Sequence, residues 1–209
     1  MLFLDELPEF KRDALEVLRQ PLEDGVVTVS RISGTFVYPS RFMLVGAMNP
    51  CKCGYFGHPS GRCNCTEQSV RAYRKRISGP MLDRIDLHVQ VNSVAYEQLR
   101  ERRPAESSAS IRRRVNAARE RQRERYRGTA VFCNAQLEAG MMRDCCPLTP
   151  QAQTLMAGAF DRLGLSARAH DRILKVARTI ADLAGEERIN EMHIAEAIQY
   201  RSLDRDTLL

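Results

Sequence analysis

Short apolar runs that end on a polar residue mark the first half of the chain, and helical periodicity marks the second. Leu2, Phe3 and Leu4 run straight into Asp5, which predicts a buried strand over 2–5 because no position on it is left for water. A helix is expected from about 10 to 19, with Phe10, Ala14, Leu15 and Leu18 on one stripe and Pro21 and Gly25 punctuating its end. The stretch VVTVSRISGTFVYPSRF reads as two β runs folded about SRISGT into a hairpin. It leads into FMLVGAMNP, a second buried strand that is apolar from Phe42 to Val45 and ends on Asn49. A basic helix, EQSVRAYRKRI, follows, and then SGPMLDRIDLHVQV predicts a turn, a short helical segment and a strand from Leu87 to Val91.

Beyond residue 95 only helices are predicted, over about 107–126, 134–141, 150–162, 166–184 and 190–199. The segment 166–184 has the clearest period, placing Ala169, Ile173, Val176, Ala177, Ile180 and Ala184 on one face. Ser166 is placed to cap its start, Gly185 to stop it, and Asn190 to cap the final helix. The fold class is therefore α/β, with an α/β portion over 1–94 and an Arg-rich connector plus helical bundle over 95–209.

At 209 residues with 44% hydrophobic content, the chain has room for one or two compact units with a buried core. No run approaches the apolar length of a membrane span, and Asp5, Glu6 and Glu9 stand where an export signal needs basic residues, so a soluble cytoplasmic chain is expected. The net charge of +6 is uneven: residues 100 to 127 hold eleven arginines against Glu101, Glu106, Glu120 and Glu124. That concentration suits phosphate attraction or an acidic partner, and equally a solvated helix face.

Seven cysteines without an export signal argue against a disulfide framework. Four of them lie in CKCGYFGHPSGRCNC, where Cys51, Cys53, Cys63 and Cys65 form two C-x-C pairs joined by a glycine-rich closure. Two close thiol pairs can meet around one ion, and four thiolates suit Zn2+ in a closed, structural site. His58 is a possible substitute ligand, and free thiols or an iron–sulfur or redox role are the competing readings. Cys133, Cys145 and Cys146 lack metal spacing and read as small buried side chains.

An acidic pair at the end of a buried strand is what ATP hydrolysis on a P-loop sheet requires: one carboxylate for hydrated Mg2+, a second to orient and deprotonate the attacking water. Asp5 and Glu6 fit those roles, although such pairs also end many strands by chance. The stretches LFLDELPEF, ISGTFVYPSRFMLVGAMNPCKCGYFGHP, SGPMLDRIDLHVQV and LSARAHDRILKVARTIADLAG together resemble the Mg-chelatase-like branch of the AAA+ ATPases, and most closely the YifB/ComM family.

The resemblance implies the C-terminal half of an AAA+ sheet followed by a helical lid. It makes LFLDE a Walker B strand, with Asp5 as the magnesium-site acid and Glu6 as the catalytic base. Asn49 is similar to sensor 1, and the paired runs before it to the pre-sensor-1 hairpin that projects toward the pore in relatives. Arg84 resembles the arginine finger, reaching the ATP site of the adjacent subunit; an ordinary ion pair with its neighbours Asp83 or Asp86 is the alternative. Arg168 resembles sensor 2, with Arg172 one turn later as its rival.

The chain departs from the pattern in having no Gly-Lys pair, so the G-x-x-x-x-G-K-[ST] loop that cradles phosphates is missing. In the family that loop lies upstream of Walker B, which places residue 1 inside the ATPase domain and leads us to expect that these residues alone bind ATP poorly and hydrolyse none. The family further implies a hexameric ring acting on DNA in branch migration during natural transformation. A chelatase-type ATPase that remodels a protein partner is one alternative, and a zinc-held binding module without enzymatic activity is another.

Overall fold

The computed structural model describes residues 1–94, 96, 100 and 105–201. They fall in two compact units, Met1–Ile85 and Asp86–Leu209.

In the first unit, β1 (Leu2–Leu4) pairs in parallel with β4 (Leu44–Gly46), and β2 (Val26–Arg31) pairs antiparallel with β3 (Gly34–Pro39). The hairpin expected about SRISGT is present, with Arg31 opposite Gly34. The helix expected over 10–19 is instead two, α1 (Arg12–Val17) and α2 (Arg19–Asp24). Proline lacks the amide an interior turn would need but fits a first turn, so Pro21 opens the second helix instead of ending the first. Gly25 does stop it, in the left-handed conformation at φ 68. The unit also holds α3 (Glu67–Arg74) and α4 (Gly79–Leu82), capped by the Thr66 and Ser78 hydroxyls.

β1 and β4 are not the fully buried strands the apolar runs suggest. Successive side chains of a strand point to opposite faces, and only one face of this pair is covered. There Leu4 and Leu44 pack on Leu7, Leu15, Ile77 and Met81. Phe3 is 56% exposed on β1 and Val45 is also exposed on β4.

The second unit begins with 86–94, where the expected strand Leu87–Val91 does not form. A strand needs a ladder partner, and among the described residues this segment shows only an isolated backbone bond, His88 N to Tyr200 O at 2.7 Å. Among the described residues five α-helices follow: α5 (Ser108–Arg125), α6 (Ala139–Cys145), α7 (Pro150–Leu163), α8 (Ala167–Ala184) and α9 (Glu191–Gln199). Their core gathers Tyr126, Leu137, Met156, Ile173, Ala177, Ile189 and Ile194. Ser166 caps α8, Gly185 ends it at φ 85, and Asn190 caps α9 in a reciprocal box with His193.

Two differences from the sequence expectation share one cause. The helix expected over 134–141 is a 3-10 turn, Asn134–Gln136, followed separately by α6, and the inner face of α8 carries Arg178 and Asp182, both fully buried. Asn134 supplies the link, since its amide donates to Asp182 Oδ2 at 2.8 Å and to Thr179 Oγ1 at 3.0 Å while its carbonyl accepts from the Tyr126 hydroxyl at 2.6 Å. Arg125 ion-pairs with Asp182, and Arg178 donates to the Glu186 and Glu187 carbonyls beyond the end of α8. The buried charges of Arg178 and Asp182 are thereby matched.

Candidate active site and metal centre

The register of the parallel pair brings two of the sequence signals to one sheet end. Leu4 lies opposite Gly46, the Ala47 amide donates to Leu4 O at 2.9 Å, and the Leu7 amide donates to Ala47 O at 2.9 Å. Asp5 and Glu6 therefore leave β1 at the same carboxyl end at which Asn49 leaves β4, the position where open α/β sheets place their ligands. All three are exposed. A Cβ on Gly46 would come within 3.1 Å of the Leu7 side chain, a close approach that a small shift of that side chain would have to relieve.

Glu6 has φ 51 and ψ 45, alone among the described non-glycine residues in the left-handed region. The Asp5 carboxylate accepts from the Glu6 amide at 2.9 Å, which holds the two carboxylates in a fixed order along the turn. Backbone strain of this kind concentrates at functional sites.

Tyr73, on α3, is buried. Burial, then the charge of Glu9, push its phenol above the ordinary range, and Glu6 adds to the effect, while a hydrogen bond from the Asn49 backbone works against it. Tyr73 is one residue that sequence reading missed, and Arg74, whose Nε donates to Pro50 O at 3.3 Å, is another. The signal available was their place on a helix that starts directly after Cys65, but a basic helix by itself names no role.

Arg84 follows α4 with its side chain only 7% exposed. Its guanidinium donates to Pro80 O at 2.6 Å and ion-pairs with Glu23 of α2, a partner sixty-one positions away that the flanking sequence does not announce. Arg168 belongs to the second unit, exposed in the first turn of α8, and Arg172 one turn on ion-pairs with Asp86.

The four cysteines of the CKCGYFGHPSGRCNC stretch converge. Their sulfurs all lie within 4.8 Å of one another, with Cys51–Cys53 at 3.3 Å, Cys53–Cys63 at 3.6 Å and Cys51–Cys63 at 3.8 Å. Those separations are near the roughly 3.8 Å edge of a tetrahedron of thiolates each about 2.3 Å from a zinc ion, and too long for disulfide bonds. His58 is engaged elsewhere, its Nδ1 bonded to Ser60 at 2.7 Å. Gly54, Gly57 and Gly61 all take positive φ, which lets the closure turn tightly enough to return the second pair to the first.

The thiols do not ionise alike. Burial opposes ionisation of Cys51, but hydrogen bonds from Cys53 and the Phe56 backbone prevail and lower it to about 6. At Cys63 a hydrogen bond from the Cys65 backbone favours the thiolate, yet burial and the adjoining Cys53 and Cys51 sulfurs outweigh it and push the thiol up to about 12. One negative charge is comfortable in the cluster, and further ones need a cation among them. Cys146 is buried, and Cys145 and Cys133 are partly buried.

Among the described residues no helix is long and apolar enough to cross a membrane. Two family models match in tandem: magnesium chelatase, subunit ChlI, over residues 1–99, and magnesium chelatase, subunit ChlI C-terminal, over 105–201. The chain is 44% identical over 206 residues to the uncharacterized protein YifB of Escherichia coli, covering 98% of this chain and 40% of that one. It is 44% identical over 207 residues to the competence protein ComM of Haemophilus influenzae, covering 98% and 39%, and 38% identical over 201 residues to a protein of Mycobacterium bovis, covering 96% and 39%. It thus spans about 40% of the length of the relatives it matches. With both tandem family models matched and this identity sustained along nearly its whole length, the chain belongs to the Mg-chelatase-like YifB/ComM family.

Proposed function

We propose that these residues form the hydrolytic half of an ATPase site and a helical lid domain, within a ring-forming protein that acts on DNA. The observation that carries the reading is the parallel β1–β4 register, which delivers Asp5, Glu6 and Asn49 to one sheet end. Asp5 holds hydrated Mg2+, which when bound neutralises charge on the phosphates. Glu6 takes a proton from the attacking water as its oxygen bonds to the γ-phosphorus and the bond to the ADP oxygen breaks. Asn49 orients that water. Arg84 gives up Glu23 on assembly and serves the site of the neighbouring protomer, and Arg168 serves from the lid.

ATP is held jointly with a phosphate-binding loop that is not among these 209 residues, so hydrolysis is proposed for the protein at the length of its relatives. In that protein Glu6→Gln should abolish ATP hydrolysis while leaving ATP binding in place. Unchanged turnover in the variant would remove Glu6 from the reaction and overturn the reading. The DNA assignment rests on the outward-facing arginines of α5 and on family membership.

The thiol cluster holds Zn2+ as a structural ion. Sulfur spacing near a tetrahedral edge supports this, as does a ligand set that leaves no open position. Metal analysis should find one equivalent of zinc per chain, and four freely titratable thiols in the purified protein would refute it.

A further inference from the structure

The metal cluster and the strand-end site are one continuous piece of chain. Cys51 comes two residues after Asn49 and is fully buried, whereas Asn49 itself is exposed and follows a strand of only three residues. Backbone bonds to β1 and the turn after it hold Ala47, and packing on the core holds Met48; from Asn49 onward the chain is held by the cluster and the helix that leaves it. The Gly54 amide donates to Cys51 O at 3.0 Å and closes the first turn. Thr66 caps α3 directly after Cys65, so the helix bearing Tyr73 and Arg74 starts where the last sulfur ligand ends. From α3, Arg74 bridges the two parts, its Nε on Pro50 O at 3.3 Å and its guanidinium 5.4 Å from the centre of the Phe56 ring.

We propose that the metal-closed loop is the anchor of Asn49, with Arg74 as a positioning residue: the ion held by Cys51, Cys53, Cys63 and Cys65 sets where the Asn49 side chain stands without taking part in the reaction. This rests on the reading of Asn49 as the residue that orients the lytic water. The physical reason is leverage. Displacing a water-orienting group by about 1 Å costs roughly a hundredfold in rate, and the ion can prevent such drift because its bonds fix both ends of the loop that begins beside Asn49.

The test uses the protein at the length of its relatives, purified with its metal, and compares Asn49→Ala, Arg74→Ala and Cys63→Ser. Arg74→Ala should keep one metal equivalent and an unchanged KM for ATP while kcat falls about ten- to a hundredfold. Amide hydrogen exchange supplies a readout independent of turnover. The peptide spanning 47–53 should exchange faster in Arg74→Ala, and faster again when a chelator removes the metal, with protection restored by added zinc. Arg74→Ala keeps the test decisive if Cys63→Ser fails to fold. The proposal is overturned if Asn49→Ala lowers kcat but Arg74→Ala and metal removal leave both kcat and exchange of this peptide unchanged. Unchanged kcat in Asn49→Ala overturns the reading of Asn49 itself, and the proposal with it.

Discussion

Glu6 occupies a backbone conformation in which a side chain costs on the order of 1 kcal/mol and glycine costs none. Evolution of a merely stable turn would place glycine there, as it does at Gly25 and Gly185 in the same chain. Retaining a carboxylate at that position fits a residue kept for its chemistry. The strain makes a prediction that separates stability from function: Glu6→Gly should unfold about 1 kcal/mol higher than Glu6→Ala in denaturant titration, while neither supports ATP hydrolysis. Equal stability of the two variants would mean that Glu6 relaxes out of the left-handed region in solution. Both the carboxylate pair and Asn49 were legible in the sequence because each ends an apolar run. Tyr73, Arg74 and the partner of Arg84 were not, because contacts from distant elements leave no local spacing to read.

Elements whose signals are local formed as the sequence predicts: the hairpin, the paired strand runs, the caps Ser166 and Asn190, and the stop at Gly185. Those that failed depend on partners. The strand Leu87–Val91 lacks a ladder among the described residues, and the segment 134–141 breaks because Asn134 is drawn into the core by α8. That network joins α5, the 3-10 turn and α8 through one carboxylate, Asp182. Burial raises its pKa, but hydrogen bonds from Arg125 and Asn134 and the Arg178 charge prevail and hold it below the ordinary range. A depressed carboxylate stabilises the fold above its unfolded value and loses that contribution as pH falls through its folded value. The helical unit should therefore lose stability below about pH 4, followed by far-ultraviolet circular dichroism. Asp182→Ala should cost about 3–5 kcal/mol at neutral pH, since it leaves two guanidinium groups without their carboxylate. A loss under about 1 kcal/mol would show that water replaces Asp182 at little cost.

At the scale of the whole molecule, the two units differ in architecture, and the densest run of arginines lies in the second. Ala118 and Gln122 are the buried positions of α5, so a helix of eighteen residues presents most of its circumference to solvent. Part of its charge is absorbed on the helix itself, in pairs such as Arg123 with Glu120 and Arg127 with Glu124. Exposed pairs of this type add little stability, which leaves the arginines available to a polyanion. If α5 meets DNA phosphates, Arg112→Ala and Arg113→Ala in the relative-length protein should each flatten the dependence of log binding constant on log salt by about one. An unaltered slope would place the nucleic-acid contact elsewhere. The β2–β3 ribbon has a different consequence. Its second strand is exposed along its whole length, and Gln20 reaches from α2 to grip Thr28 of the first strand, with its amide nitrogen 3.1 Å from the hydroxyl and its carbonyl oxygen 3.3 Å from the backbone nitrogen. With that grip near its base and one strand exposed throughout, its outer rungs should be the first in that unit to open on warming.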